Sequence, residues 1–169
     1  MSERPHVLPD VLGPGLAFVF CGSAAGTASA RRRAYYAGPG NRFWPTLFDV
    51  GLTPHLLSPE EFPTVLRYGF GLTDLTKDQF GQDRAIRRGA NDADELRRKV
   101  ERFRPTTLAF VGKDAAKVAL GRSHIDYGPQ PDRIAATRLF VLPSPSGAAR
   151  AFWDARWWHS LAQRVQAER

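Results

Sequence analysis

The chain has 169 residues, 43% of them hydrophobic, and carries 24 lysines and arginines against 17 acidic residues, for a formal charge of +7 and a pI near 10.2. That length suits one globular domain over residues 1–169, and the basic surplus favours a polyanionic partner, either nucleic acid or an anionic membrane surface. One cysteine, Cys21, excludes an internal disulfide and leaves an iron–sulfur cluster or a cysteine zinc site without ligands, so neither metal nor cofactor is expected.

No apolar run approaches the roughly 20 residues of a membrane span, and residues 1–14 lack the apolar core of a secretory signal. A soluble cytoplasmic protein with no membrane partner is the expectation. Residues 1–14, polar and punctuated by proline, read as a loosely held arm. Leu16 to Cys21 is a continuous apolar run, as in a strand covered on both faces, and it opens into Gly22-Ser23-Ala24-Ala25-Gly26. Loops at the carboxyl ends of such strands bind ligands in α/β sheets; the alternative is a tight turn without chemistry. Ser23 directly follows Gly22, so the Gly-x-Ser-x-Gly elbow of a serine hydrolase is excluded.

Arg31, Arg32 and Arg33 precede Tyr35 and Tyr36, a mixture that serves either a solvated surface or phosphate contacts beside a stacking ring. A helix is expected from Asn41, its N-cap, to Val50, with Phe43, Trp44, Leu47 and Phe48 mostly in the core. Ser58, Pro59 and Glu61 spell a capping box for a second helix ended by Gly69. Phe70 to Leu75 reads as a short strand with Thr73 and Asp74 near its end, Asp74 being either a solvated turn residue or a site group. Gln79 to Arg88 reads as a surface loop. A charged helix follows from Asn91 or Asp92 to Phe103, with Leu96, Val100 and Phe103 inward and Arg97, Arg98 and Lys99 outward.

Thr107 to Gly112 is another apolar strand, and Lys113 to Leu120 a helix closed by Gly121. His124 and Asp126 fall in a loop, with no nucleophile near them in sequence. Leu139 to Leu142 reads as a buried strand feeding Pro143-Ser144-Pro145-Ser146-Gly147-Ala148-Ala149-Arg150. Its prolines make that loop stiff, so it loses little entropy on meeting a partner. Ala151 to Ala167 is expected to be a terminal helix with Phe152, Trp153, Trp157 and Leu161 on its apolar side.

Strands near 16–21, 70–75, 107–112 and 138–142 alternating with helices predict an α/β fold: three layers, α/β/α, around a mostly parallel central sheet. Five segments in this order become specific together: Leu16 to Gly26, Asn41-Arg-Phe-Trp44, Gly71-Leu-Thr-Asp74, Ala109-Phe-Val-Gly-Lys113, and Leu142-Pro-Ser-Pro-Ser-Gly147 with Arg150. Over roughly Pro14 to Gln163 the chain resembles the mismatch-specific branch of the uracil-DNA glycosylase superfamily.

The resemblance implies a monofunctional DNA glycosylase, monomeric and free of cofactor. Such an enzyme flips uracil or a related damaged base out of double-stranded or single-stranded DNA and hydrolyses its bond to deoxyribose, leaving an abasic site. It also implies that Tyr36 stacks on the base, that Gly22 and Ala24 line the base pocket with Asn41 and Ser144, and that Ser146, Gly147, Ala148 and Arg150 enter or brace the gap in the helix. Arg31, Arg32 and Arg33 would join Arg150 on phosphates. In the branch, the first loop reads Gly-Ile-Asn-Pro-Gly and its asparagine positions the attacking water; here Ser23, Ala24 and Ala25 stand in that loop. Where close relatives carry lysine, this chain carries Asp74. The expectation is therefore that Asp74 activates the water or steadies the sugar cation, with Ser23 as a secondary polar contact. The competing expectation is a weak or inactive protein of the same fold that only binds damaged or abasic sites. A nucleotide-binding module for small molecules would need a phosphate-loop or Gly-x-Gly-x-x-Gly motif that the sequence lacks.

Overall fold

The computed structural model describes residues 5–81 and 90–167. Five strands, β1 (Phe18–Gly22), β2 (Phe70–Asp74), β3 (Thr107–Val111), β4 (Gly128–Ile134) and β5 (Thr137–Leu142), form one sheet in the order β2-β1-β3-β5-β4. The first three and β5 run parallel, and β4 is antiparallel to β5. Every residue of β1, β2 and β3 is buried; β1 and β3 read as apolar runs because each is covered on both faces, whereas edge strand β2 buries Thr73 and Asp74 as well.

Alternate side chains serve the two faces. Phe18 and Phe20 of β1 join Phe43 and Leu47 of α2 (Phe43–Asp49) and Trp158 and Leu161 of α5 (Ala155–Ala167) on one side. Val19 and Cys21 join Leu96 and Val100 of α3 (Ala90–Phe103) and Ala115 and Ala116 of α4 (Lys113–Leu120) on the other. The first side is aromatic: Phe18 stacks on Phe70 with centroids 4.9 Å apart, while Phe20 meets Phe43 edge-on at 5.1 Å. The expected three-layer α/β/α architecture is the one observed.

Several elements depart from expectation. Residues 7–11 are held: the Val7 N–H donates to the Lys77 carbonyl, Val11 exchanges both backbone hydrogen bonds with Leu72, and Leu8 is 1% exposed. Edge strand β2 has an open row of backbone groups, and this segment fills part of it. Gly71 permits the approach, because a Cβ there would run into the Val11 carbonyl oxygen. β4 was hidden by Pro129, Pro131 and alternating exposure, all tolerable on an edge strand with a register irregularity. Helix α1 (Thr27–Arg32) ends within the arginine triplet.

The Asn41 side chain does cap the next helix, accepting from the Phe43 N–H at 2.9 Å, although the N-cap position itself is Arg42. In that helix Phe43, Trp44 and Leu47 are core, whereas Phe48 is exposed. The Ser58 capping box forms, but Pro59–Tyr68 is a 3-10 helix with Pro63 inside it. Residues 82–88 of the loop expected over Gln79–Arg88 lie outside the described residues. The terminal helix starts at Ala155, after a 3-10 turn Gly147–Phe152, because Asp154 takes the Arg156 N–H. Its buried side chains are Trp158, Leu161, Ala162 and Val165; Phe152 is 71% exposed, and Trp153 and Trp157 are half-buried. Among the described residues, no helix is long and apolar enough to cross a membrane.

Candidate functional site at the carboxyl edge of the sheet

The parallel register sets Gly22 beside Asp74 and Val111 beside Leu142, so the loops after β1, β2, β3 and β5 open at one edge. The first two are tied together, since the Leu75 and Thr76 N–H groups donate to the Gly22 and Ser23 carbonyls at 2.8 Å. A Cβ on Gly22 would lie 2.6 Å from Asp74 Oδ1 and 3.0 Å from the Tyr36 hydroxyl. The strand terminus must therefore be glycine for the carboxylate and the phenol to meet there.

Asp74 is 5% exposed. Burial raises its pKa to about 6, helped by the Asp10 charge, while Lys77 and Lys99 pull the other way. Behind it lies a compact ionic group. Asp10 bonds Lys77 at 2.9 Å and Lys99 at 2.8 Å and accepts from the Thr73 hydroxyl at 2.7 Å. Lys77 also donates to the Tyr35 hydroxyl at 3.0 Å, and Tyr35 in turn donates to the Pro9 carbonyl. Burial pushes the Asp10 carboxyl up, but the two lysines and Thr73 outweigh it and hold its pKa below the usual value. Lys99 is thus an inward ion-pair partner, unlike the exposed Arg97 and Arg98 beside it.

Tyr36 lies with its ring stacked on Phe43, centroids 3.9 Å apart and planes 22° from parallel. From there the chain runs past Pro39 and Gly40 to Asn41, whose side-chain oxygen is engaged by Phe43. The stiff loop docks on this stretch: the Arg42 N–H donates to the Pro145 carbonyl at 2.9 Å, and a Cβ on Gly147 would sit 3.1 Å from the Pro39 carbonyl oxygen. Ser144 packs beside Gly112 at the end of β3, and its hydroxyl takes the Ser146 N–H. Ser146 then caps the 3-10 turn by accepting from the Ala148 N–H. Ala148, Arg150 and Phe152 are exposed on the turn, while Arg42 lies over the Trp153 ring 5.5 Å from its centroid.

The expected site residues thus fall into two adjoining groups, Gly22, Tyr36 and Asp74 in one, and Asn41, Ser144, Ser146 and Gly147 in the other. Ser23 and Ala24 lie half-buried on the first loop. The arginine triplet divides. Arg31 and Arg33 are exposed at the end of α1, whereas Arg32 is committed to the Glu60 carboxylate at 2.8 Å and the Ala37 carbonyl at 2.9 Å. His124 and Asp126 form an exposed pair at 3.3 Å in a surface loop. Asp10, Lys77 and Lys99 had no motif to announce them; a Lys three residues beyond Asp74 was their one local trace. Among the described residues, no group of three or more His, Cys, Asp or Glu gathers to hold a metal.

The solution NMR structure of a candidate uracil DNA glycosylase from Methanosarcina acetivorans shares this fold, with a TM-score of 0.58 and 22% identity over 96% of this chain and 98% of that one. The model of the Uracil DNA glycosylase superfamily matches residues 9–162, a span that takes in Asp10, the docked loop and most of α5. With that match running through all five strands, the chain belongs to the uracil DNA glycosylase superfamily.

Proposed function

We propose that the protein is a monofunctional DNA glycosylase, akin to the mismatch-specific branch, that removes uracil or a related damaged base from DNA by hydrolysis. The observation that carries this reading is the meeting of a buried carboxylate, Asp74, with the Tyr36 hydroxyl over the bare α carbon of Gly22. Breaking the bond between C1′ and the base leaves a cation-like sugar and sends the electron pair onto the base. A carboxylate at the sugar steadies that cation and takes a proton from the incoming water. With a pKa of about 6, Asp74 is largely ionised at neutral pH and more basic than an ordinary aspartate.

The flipped base lies on the Tyr36 ring, with the Gly22, Ser23 and Ala24 loop and Asn41 and Ser144 around it. The loop Ser146 to Arg150 enters the duplex, braced by the hydrogen bond that the Arg42 N–H donates to the Pro145 carbonyl just before it. Ala148 is small for a wedge; Phe152, at 71% exposure on the same turn, supplies the apolar bulk that refills the stack. Arg31, Arg33 and Arg150 take phosphates, and Arg32 contributes less because Glu60 already neutralises it.

The test is alkali cleavage of a labelled duplex oligonucleotide carrying one uracil, incubated with sub-stoichiometric protein. Strand breaks only after alkali are expected. Tight binding without breaks would favour the binding-only reading that the absent asparagine permits, and breaks before alkali would refute monofunctional action.

A further inference from the structure

Among the described residues, the Tyr36 hydroxyl is the one buried side-chain N or O atom without a hydrogen-bond partner. An unpaired hydroxyl in such a place is unfavourable, and native proteins keep few of them without a reason. The residue also holds a left-handed backbone, φ 54°, which a bulky side chain adopts only under constraint. Phenylalanine would stack on Phe43 equally well and strand no polar atom, so packing does not account for a tyrosine. The hydroxyl points where Asp74 Oδ1 points, each within 3.0 Å of the position that a Gly22 Cβ would take. The two oxygens thus converge on one point over Gly22 with no hydrogen bond joining them directly, and a shared water molecule is the partner that would satisfy the phenol.

Resting on the glycosylase reading, we infer that the Tyr36 hydroxyl and the Asp74 carboxylate together hold the attacking water over Gly22, making Tyr36 a catalytic residue as well as the ring beneath the base. The carboxylate accepts one proton of the water and the phenol oxygen accepts a hydrogen bond from the other, so a lone pair faces C1′. As the bond from C1′ to the base nitrogen breaks, its electron pair leaves on the base. The water oxygen bonds to C1′, and its proton passes to Asp74 and on to the departing base. The pair supplies the positioning that the first loop cannot, since Ser23, Ala24 and Ala25 offer no carboxamide. Burial and then the charge of Asp74 raise the phenol pKa well above its usual value, so Tyr36 stays neutral throughout. Lys77, Lys99 and Asp10 act on Asp74 from behind, and Cys21 and Tyr35 stay protonated beside it.

The experiment is Tyr36→Phe in the full chain, measured by single-turnover excision from a uracil duplex over a pH series. Affinity for a duplex carrying a non-cleavable 2′-fluoro deoxyuridine is measured in parallel. The inference expects the plateau rate to fall on the order of 100-fold, with analogue affinity and the acid limb of the profile unchanged. It is overturned by a parental plateau rate, by a loss matched in analogue affinity, or by a displaced acid limb with an intact plateau, which would make the hydroxyl a mere tuner of Asp74. If the parent chain itself excises no uracil, the uracil reading fails and this inference with it, an outcome visible in the parent alone.

Discussion

Replacing Asp74 by asparagine removes a charge while keeping the shape of the side chain, so activity and stability should move in opposite directions. The folded carboxyl has a pKa of about 6 against an ordinary 3.8. Between those values the native chain binds the proton and the unfolded chain has lost it, so the contribution of this group to stability falls as pH rises through the window. Above about pH 6 the ionised carboxylate leaves the fold about 3 kcal/mol less stable than a neutral group would. Asp74→Asn should therefore raise unfolding free energy by about 3 kcal/mol at neutral pH, worth roughly 6–12 °C in Tm for a chain of this size. The advantage should disappear below about pH 4, where both proteins carry a neutral side chain. Urea unfolding of parent and variant at a series of pH values reads this difference directly. Excision by the variant should drop about 100-fold or more. A variant no more stable than its parent at neutral pH, or a gain independent of pH, would refute the claim that the site stores an ill-solvated charge.

Gly22→Ala inserts a methyl 2.6 Å from Asp74 Oδ1 and 3.0 Å from the Tyr36 hydroxyl; excision should be abolished and stability reduced by about 1–3 kcal/mol, both read on one preparation. Lys77→Met removes a cation that favours ionised Asp74 and leaves Asp10 with Lys99 alone. The acid limb of the excision profile should move to higher pH, with about 3 kcal/mol lost in urea unfolding; an unmoved limb would uncouple Lys77 from Asp74. Phe152→Ala, at an exposed position, should change stability by less than about 0.5 kcal/mol. It should slow excision from duplex DNA while sparing single-stranded DNA, which has no stack to refill; equal loss on both would remove Phe152 from the wedge role.

What could be read from sequence was whatever depends on near neighbours. β1, β3 and β5 announce themselves as apolar runs because each is covered twice, and the Ser58 box closes within four residues. β4 is invisible by the same logic: an edge strand needs neither a continuous apolar face nor every N–H, so its prolines mimic a loop. At the site, Gly22 and Asp74 could be marked at their strand ends as candidates beside plainer turn readings, and Tyr36 was singled out from two adjacent tyrosines by the family resemblance. Their meeting was not legible, since it depends on the register of β1 against β2. The ions behind them are harder still. Asp10 reaches Thr73 across 63 residues, and Lys99 looked like its two arginine neighbours in a charged helix. Phe152 misled by its company: a tryptophan-rich stretch reads as one apolar face, yet the break at Asp154 turns Phe152 outward.

The strap of residues 7–11 does two jobs at once, since it both occupies the free margin of β2 and delivers Asp10 to the lysines behind the site. At the opposite margin, Pro129 and Pro131 of β4 already discourage recruitment of a further strand. A shortened chain beginning after Leu12 would uncover the bare backbone of β2, with Gly71 offering no side chain to obstruct a newcomer. Such a truncation should self-associate in light scattering as well as lose its ion pairs, so trimming for crystallisation or fusing a partner close to Val7 would disturb solubility and chemistry together.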